Sequence, residues 1–316
     1  TEIYTLSLHD ALPISSLLHA EWLDSRFNII DTPGYLDFIA ESRAALKVSD
    51  LAVVVLHATH GIEIGTSKVW DFAEEFGLAK VVVVNGIDAE NAQYEPILEA
   101  LKTTFGARFF PINIPTNPGP GYNEMLDVIR KAKLTYKTDG SGKYDEAKAT
   151  GEEGDQVDQL HTELIELVAE SDDTLLEKFF DEGITEEELR GGLHKAFQSR
   201  TFIPVFFTSS ETNVGVARLM DFISKYASSP DDHMETVAQN ADGEEVTISL
   251  DDNEAAAFVF KTINESHIGE LSFVKVLSGT LKSGEDIVNA NTDEPQRLSQ
   301  MFILNGKNRD KVEQLN

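Results

Sequence analysis

The stretch Phe27-Asn28-Ile29-Ile30-Asp31-Thr32-Pro33-Gly34-Tyr35 decides how this chain is interpreted. Its first four residues have the character of a buried strand and lead directly into Asp31. A carboxylate at the carboxyl end of a strand is well placed to hold Mg²⁺, usually through water. Gly34 has no Cβ, so its backbone N–H can approach a phosphate closely. Asp-Thr-Pro-Gly is also an ordinary turn sequence, and the rest of the chain has to decide between a ligand site and a turn.

The composition is that of a globular protein. The 316 residues leave room for two or three domains. The hydrophobic content of 41% and the mean hydropathy of -0.21 do not describe a disordered or a membrane protein, and no apolar run approaches the roughly 18–20 residues that span a bilayer. The chain contains no Cys, which predicts a reducing compartment. The eight His residues form no H-x-x-x-H pair, so we expect no metal cluster.

The charge is strongly negative and unevenly distributed. A formal net charge of -29 argues against a broad nucleic-acid-binding face. Between Asp139 and Glu188 the chain has 18 acids against 3 lysines, whereas residues 255–316 carry 8 acids and 7 bases. The acidic middle segment is either a solvated face or a protein-docking surface, and charge runs favour the solvated face.

Strands alternate with helices from Ser15 onward. The predicted strands are Leu17–Trp22, Phe27–Ile30, Leu51–Leu56, Lys80–Asn85, Phe109–Ile114 and Ile203–Phe207, and the predicted helices include Thr66–Phe76, Pro96–Phe105 and Val216–Tyr226. Leu51–Leu56 is a continuous apolar run of the kind buried on both faces of a parallel sheet. This alternation predicts a doubly wound α/β sheet, in which ligands lie at the carboxyl ends of the strands. Asp31 and Asn85 stand at such ends, which favours the ligand site over the turn.

Further segments differ in character from this sheet. We expect an α/β domain over residues 15–230 with a helical insertion at about 110–203, where Val157, Leu164 and Val168 share a helix face and Thr185 with Glu188 forms a capping box. A polar linker is expected over 231–254. Beyond Ala255 the period changes to two, which predicts an all-β barrel over 255–316 that is incomplete at its end.

Residues 1–14 do not fit the pattern of the chain that follows. They lack a cationic start and are therefore not a signal peptide. Their text resembles translated sequencing-adapter read-through, and we exclude them from the fold prediction as a non-native segment. The alternative is a genuine N-terminal strand or arm.

Three segments now align at strand ends: Asp31–Gly34, Asn85–Asp88 and Ser209-Ser210. With them the chain resembles the translational GTPases, most closely bacterial elongation factor G. The resemblance covers essentially all of residues 15–316, including the helical insertion and the barrel segment Ser278–Gly284. It implies that residues 15–230 form a GTPase domain, with a P-loop GTPase-type doubly wound sheet that lacks its first strand and phosphate loop, followed by an incomplete translation-factor barrel.

The resemblance also implies ligands, partners and residue roles. Asp31 would hold Mg²⁺ through water, and the Gly34 amide would contact the γ-phosphate of GTP. Asn85 and Asp88 would recognise guanine, which Ser209-Ser210 would support from its other side. GTP or GDP and Mg²⁺ are the implied cofactors. The implied partner is the ribosome, through ribosomal proteins and rRNA, with no DNA or membrane partner, a cytoplasmic location and a monomeric state off the ribosome.

Three departures from the family pattern stand out. Tyr35 replaces the catalytic histidine that positions the attacking water, and a phenol can orient water but cannot titrate near neutral pH. Gly86 replaces the lysine of Asn-Lys-x-Asp, whose alkyl chain packs over the base. No G-x-x-x-x-G-K-[ST] loop occurs, because neither Gly142-Lys143 nor Gly306-Lys307 fits. In the family this phosphate-cradling loop lies upstream of the position of Ser15. Together with the incomplete barrel at 255–316, its absence leads us to expect truncation at both ends.

The sequence therefore predicts a fragment of a ribosome-associated GTPase that resembles elongation factor G and couples GTP hydrolysis to translocation. Without the phosphate loop, we expect the chain itself to be inactive and to bind GTP weakly or not at all. One alternative, motivated by Tyr35 and Gly86, is a specialised paralogue that acts in recycling or hydrolyses little GTP. The other is a non-catalytic pseudo-GTPase binding module.

Overall fold

The structure, a computed structural model, describes residues 15–106, 108–181, 184–232, 234–239, 243–265 and 269–316. The expectation of a non-native segment at residues 1–14 lies outside them. The chain divides into two compact units. We call Trp22–Ser25 with Asp50–Ser228 the α/β unit, and Arg26–Ser49 with Ser229–Asn316 and the residues up to Glu21 the β-rich unit. Within the described ranges no helix is both long and apolar enough to cross a membrane.

The helices and strands follow in chain order. The helices are α1 (Ile39–Val48), α2 (Ile64–Glu75), α3 (Glu95–Phe105), α4 (Glu152–Ala169), α5 (Asp173–Asp181), α6 (Glu186–Gln198) and α7 (Val216–Tyr226). The strands before α7 are β1 (Ser16–Trp22), β2 (Ser25–Asp31), β3 (Leu51–His57), β4 (Ala79–Asn85), β5 (Phe109–Pro111), β6 (Asn113–Pro115), β7 (Glu124–Asp127), β8 (Ala132–Tyr136), β9 (Tyr144–Lys148) and β10 (Ile203–Thr208). Those after α7 are β11 (Glu235–Gln239), β12 (Glu245–Ser249), β13 (Ala256–Glu265), β14 (Gly269–Ser278), β15 (Leu281–Lys282), β16 (Asp286–Asn289), β17 (Glu294–Arg297), β18 (Met301–Asn305), β19 (Asn308–Val312) and β20 (Gln314–Leu315).

A four-stranded parallel sheet with the order β3-β4-β10-β5 forms the centre of the α/β unit. The side chains of β4 alternate between two cores, as strand geometry requires. Val82 and Val84 pack with residues of α2 and α3, whereas Val81 and Val83 pack with residues of α6 and α7. Helices therefore cover both faces, and the predicted doubly wound sheet is confirmed.

The prediction that Leu51–Leu56 is buried on both faces is wrong. Along β3, buried Ala52, Val54 and Leu56 alternate with Val53 and Val55, which are 42% and 62% exposed. The strand is at the edge of its sheet, with a single strand partner among the described residues. A continuous apolar run cannot reveal how many of its faces are covered, so the sequence could not distinguish this edge strand from a central one.

Two other strand predictions need correction. β2 covers Phe27–Ile30 and pairs with β1, which confirms the strand pair expected from Leu17–Trp22 and Phe27–Ile30, but Ile29 is 39% exposed instead of buried. The predicted strand Phe109–Ile114 is two short strands, β5 and β6, which belong to different sheets. β5 ends at Pro111, which cannot donate the hydrogen bond that would continue a ladder, and Ile112 lies between the two strands.

The insertion combines the antiparallel sheet β6-β7-β8-β9 with the helices α4, α5 and α6. Val157, Leu164 and Val168 are buried on one face of α4, as the spacing predicts. α6 begins at the predicted capping box, in which Glu188 N donates to Thr185 Oγ1 at 3.3 Å and Thr185 N donates to Glu188 Oε2 at 3.0 Å.

The later part of the β-rich unit is built from antiparallel hairpins, in agreement with the predicted all-β region. The turn after Ser278 requires glycine, because Gly279 has φ +60° and a Cβ there would lie 2.7 Å from the carbonyl carbon of Glu254. Within the stretch 231–254, for which we expected a linker, β11 and β12 form a hairpin. Lys261 of β13 binds Glu41 of α1 at 2.9 Å in this unit.

Candidate functional site

Asn85 joins the two loops that leave the carboxyl edge of the central sheet. It is the last residue of β4 and lies beside Thr208, the last residue of β10. Its Oδ1 accepts hydrogen bonds from Ser210 N at 2.8 Å and from Thr208 Oγ1 at 3.2 Å. Its Nδ2 donates to Ser210 Oγ at 2.9 Å. The structure therefore brings the predicted site residues Asn85 and Ser210 together, with Asn85 holding the loops in place.

Ser209 builds the second loop from inside. It is fully buried, and its backbone exchanges hydrogen bonds with Val214 at 3.0 and 2.9 Å. Its Oγ accepts from the N–H and the hydroxyl of Thr212 at 3.2 and 2.8 Å. Ser210, by contrast, is exposed. Of this serine pair, Ser209 shapes the loop and Ser210 is the residue open to a ligand.

The loop Gly86–Asp88 is fixed by its backbone and by one buried side chain. Ile87 is fully buried, its N–H donates to Thr208 O at 3.2 Å, and its carbonyl accepts from Gly119 N at 2.7 Å. Asp88 is partly exposed. No described residue donates a hydrogen bond to its carboxylate, which is therefore available to an incoming donor.

A tyrosine behind this loop was missed by the sequence analysis. Tyr122 is almost completely buried, and its hydroxyl is one of three buried side-chain oxygens among the described residues without a hydrogen-bond partner. Burial raises the pKa of Tyr122 well above its usual value, and nearby Tyr136 and Asp88 raise it further. Tyr122 directly follows the stretch Pro118–Gly121, and no sequence pattern links this stretch to Asp88.

His57 is the second residue that was missed. It is the last residue of β3, it pairs with Asn85 across the sheet, and it is exposed. A polar residue at the carboxyl end of a strand was the signal that singled out Asn85, and the same signal could have found His57.

Asp31, Gly34 and Tyr35 belong to the β-rich unit. Asp31 is the last residue of β2 and is exposed, as its predicted place at a strand end requires. A Cβ at Gly34 would meet no heavy atom within 4 Å. Tyr35 is 68% exposed, and its carbonyl accepts from Phe38 N at 3.0 Å. Their expected roles toward phosphate, Mg²⁺ and the attacking water stay predictions.

The residues of the candidate site fit the base of a guanine nucleotide better than they fit its phosphates. The free carboxylate of Asp88 can accept the paired N–H groups of guanine. Asp31 fits a single Mg²⁺ ligand, since this ion commonly takes one or two carboxylates and completes its shell with water and phosphate oxygens. The described residues include no glycine-rich loop followed by Lys and Ser or Thr for the phosphates.

Comparisons with known proteins agree with the fold. The family model described as elongation factor Tu GTP binding domain matches residues 13–229, and the model described as elongation factor G domain 2 matches residues 254–316. A crystal structure of a protein from Thermus thermophilus is similar, with a TM-score of 0.80 and 28% sequence identity. The similarity covers 96% of this chain and 42% of that chain, so this chain spans less than half of its relative.

Proposed function

Because this chain belongs to the translational GTPases, the family of the elongation factor Tu GTP-binding domain, we propose that it recognises guanine nucleotides through Asn85, Asp88 and Ser209-Ser210. One observation carries this proposal. The side chain of Asn85 holds the two loops together, while the carboxylate of Asp88 has no hydrogen-bond donor among the described residues.

The chemistry of the base explains the selectivity that we expect. Guanine carries a ring N–H and an exocyclic amine on the same edge, and one carboxylate accepts both as charge-assisted bonds. Adenine lacks that ring proton, so a carboxylate would meet a lone pair. Asp88 therefore favours guanine over adenine, and Ser210 supports the loop opposite.

We further propose that the parent protein is a ribosome-associated GTPase of the cytoplasm that resembles elongation factor G. GTP would supply the free energy for ribosomal translocation, with Mg²⁺ held by Asp31, the γ-phosphate contacted by the Gly34 amide and water oriented by the Tyr35 phenol. The order–disorder behaviour of such switch segments couples hydrolysis to binding and release.

The exposed face of β3 supports the proposal that the parent protein carries a further strand and helix beside it. Val53 and Val55 are large apolar side chains left exposed on an edge strand, a feature that native sheets usually cover. A strand–loop–helix unit there would also supply the phosphate loop that this sequence lacks. We therefore expect this chain alone to bind GTP weakly and not to hydrolyse it.

The experiment is a titration of the ¹⁵N-labelled chain with GMP and with AMP, followed by NMR. GMP at millimolar concentration should shift the amide signals of residues 85–89 and 209–211, whereas AMP should leave them in place. Asp88→Ala should abolish the response, and Glu90→Ala, which removes an exposed carboxylate from the same loop, should preserve it. Equal responses to GMP and AMP would contradict guanine recognition, and micromolar GTP binding would contradict the expected weak affinity.

A second candidate function is that of a specialised elongation factor G-like paralogue with little hydrolysis. Tyr35 favours it, because a phenol cannot act as the family's histidine does. A translocation assay of the complete protein beside a standard elongation factor G separates the two, since full activity excludes the specialised role. A pseudo-GTPase module would be favoured if the complete gene encoded no phosphate loop.

A further inference from the structure

The space beside Gly86 is occupied by the imidazole of His57. Gly86 has φ +81°, a conformation that residues with side chains rarely adopt. A Cβ on Gly86 would lie 2.9 Å from Nε2, 3.3 Å from Cε1 and 3.4 Å from Cδ2 of His57. A side chain at position 86 and the observed position of the His57 ring therefore exclude each other.

The loop after β3 holds this ring in place. Thr59 N donates to Nδ1 of His57 at 3.3 Å, and Thr59 Oγ1 lies 2.9 Å from the same atom. Both contacts hold the ring through Nδ1 and leave Nε2 toward Gly86. The carbonyl of His57 also accepts from Gly61 N at 2.9 Å, which folds the loop back on the strand.

An exposed histidine at a strand end is ordinarily only a solvated residue. Two features argue for more than that here. The ring lies against the one residue that separates Asn85 from the Ile87–Asp88 pair, and it is exposed, so that a ligand can reach it. Gly86 also stands where the family carries a lysine that packs over the base.

We propose that His57 takes the place of a side chain at position 86 and forms one wall of the guanine pocket, with its imidazole stacked on the base. The inference rests on the proposed guanine recognition and adds a residue from a different strand. Aromatic rings stack on any base and provide affinity without reading its edge. His57 would strengthen binding, while Asp88 would select guanine.

The test compares GMP binding of four chains by the same NMR titration. We expect His57→Ala to weaken GMP binding about five- to tenfold, the order expected for one lost base–aromatic stack. His57→Phe keeps a stacking ring and should retain most of the affinity. His60→Ala is the matched control, because His60 is an exposed neighbour whose ring centroid lies 4.9 Å from that of His57, and it should bind as the unmodified chain does.

The outcomes separate this inference from the function beneath it. If the unmodified chain prefers GMP over AMP but His57→Ala binds GMP equally well, the inference is overturned and guanine recognition stands. If the unmodified chain shows no preference, both fall. Equal weakening by His57→Ala and His60→Ala would overturn the stacking role, since a general disturbance of the loop would then explain the loss. Circular dichroism of each variant confirms that it is folded.

Discussion

At the scale of the residue, Asn85 and Asp88 divide the work of the candidate site. Asn85 uses both ends of its amide inside the protein, on Ser210 and Thr208. Asp88 keeps its carboxylate for a ligand. The sequence motif named both residues but did not distinguish the residue that holds the loops from the one that binds.

Replacing Asn85 should therefore affect stability as well as binding. Asn85→Ala removes the hydrogen bonds to the exposed Ser210 and leaves the hydroxyl of buried Thr208 without its acceptor. We therefore expect a loss of about 1–3 kcal/mol in the free energy of unfolding. Urea unfolding measures it. Asn28→Ala, at an exposed asparagine of β2, should change stability by less than about 0.5 kcal/mol, and equal losses for both variants would refute the role of Asn85.

A buried ion pair should show a larger effect. Arg218 Nε binds Asp127 Oδ2 at 2.6 Å, with side chains that are 7% and 2% exposed. Asp127 raises the pKa of Arg218 above its usual value, against the opposing effect of burial. Arg218→Ala leaves a buried carboxylate without its cation and should cost about 3–5 kcal/mol.

The matched control for this pair is an exposed one. Arg297 binds Asp286 at 3.3 Å with both side chains more than half exposed, so Arg297→Ala should cost less than about 1 kcal/mol. Similar losses for the two arginine variants in urea unfolding would contradict the assigned importance of burial.

At the scale of the element, local signals were enough where an element is defined by its own residues. The capping box at Thr185 and Glu188 and the bounds of α7 follow from the sequence and are confirmed. β3 and β2 show the limit, because the burial of a strand depends on what covers it. The contact between His57 and Gly86 joins the end of β3 to the loop after β4 and leaves no periodic signal.

The N-terminus of α6 should respond to acid. Hydrogen bonds from Lys178 and from Thr185 lower the pKa of Glu188 from 4.5 to about 2. Because the folded state holds Glu188 ionised, its contribution is complete above pH 4.5 and is lost as the pH falls toward 2. The protection of the first amides of α6 against hydrogen exchange, measured relative to the intrinsic exchange rate at each pH, should therefore fall over this range.

Glu188→Gln provides the control for that measurement. Glutamine can keep the capping hydrogen bonds but has no charge to lose, so the protection at the start of α6 should depend less on pH between 4.5 and 2. The same pH dependence in both chains would show that another group controls this helix end.

At the scale of the whole molecule, charge should weaken stability. The net charge of -29 creates repulsion within the compact state, which salt screens. We expect the melting temperature to rise with NaCl concentration at neutral pH, as followed by circular dichroism. A constant or falling melting temperature would mean that local ion pairs, such as Lys133 with Glu124 and Glu153, outweigh the general repulsion.

The family and the α/β architecture were predictable because each motif at a strand end consists of a few consecutive residues. The neighbours of those motifs were not predictable. Tyr122 approaches Asp88, and His57 covers Gly86, through tertiary packing between segments far apart in the chain. The roles of Asp31, Gly34 and Tyr35 stay predictions for a different reason, because each role describes a contact with a ligand.

The most direct test of the central claim exchanges the base preference with one substitution. Asn at position 88 would offer one acceptor and one donor where Asp88 offers two acceptors, which matches the ring N–H and the carbonyl of xanthine. We predict that Asp88→Asn lowers the affinity for GMP and raises that for XMP in NMR titrations of the two chains. Unchanged preference for GMP would contradict the assignment of Asp88 as the residue that recognises guanine.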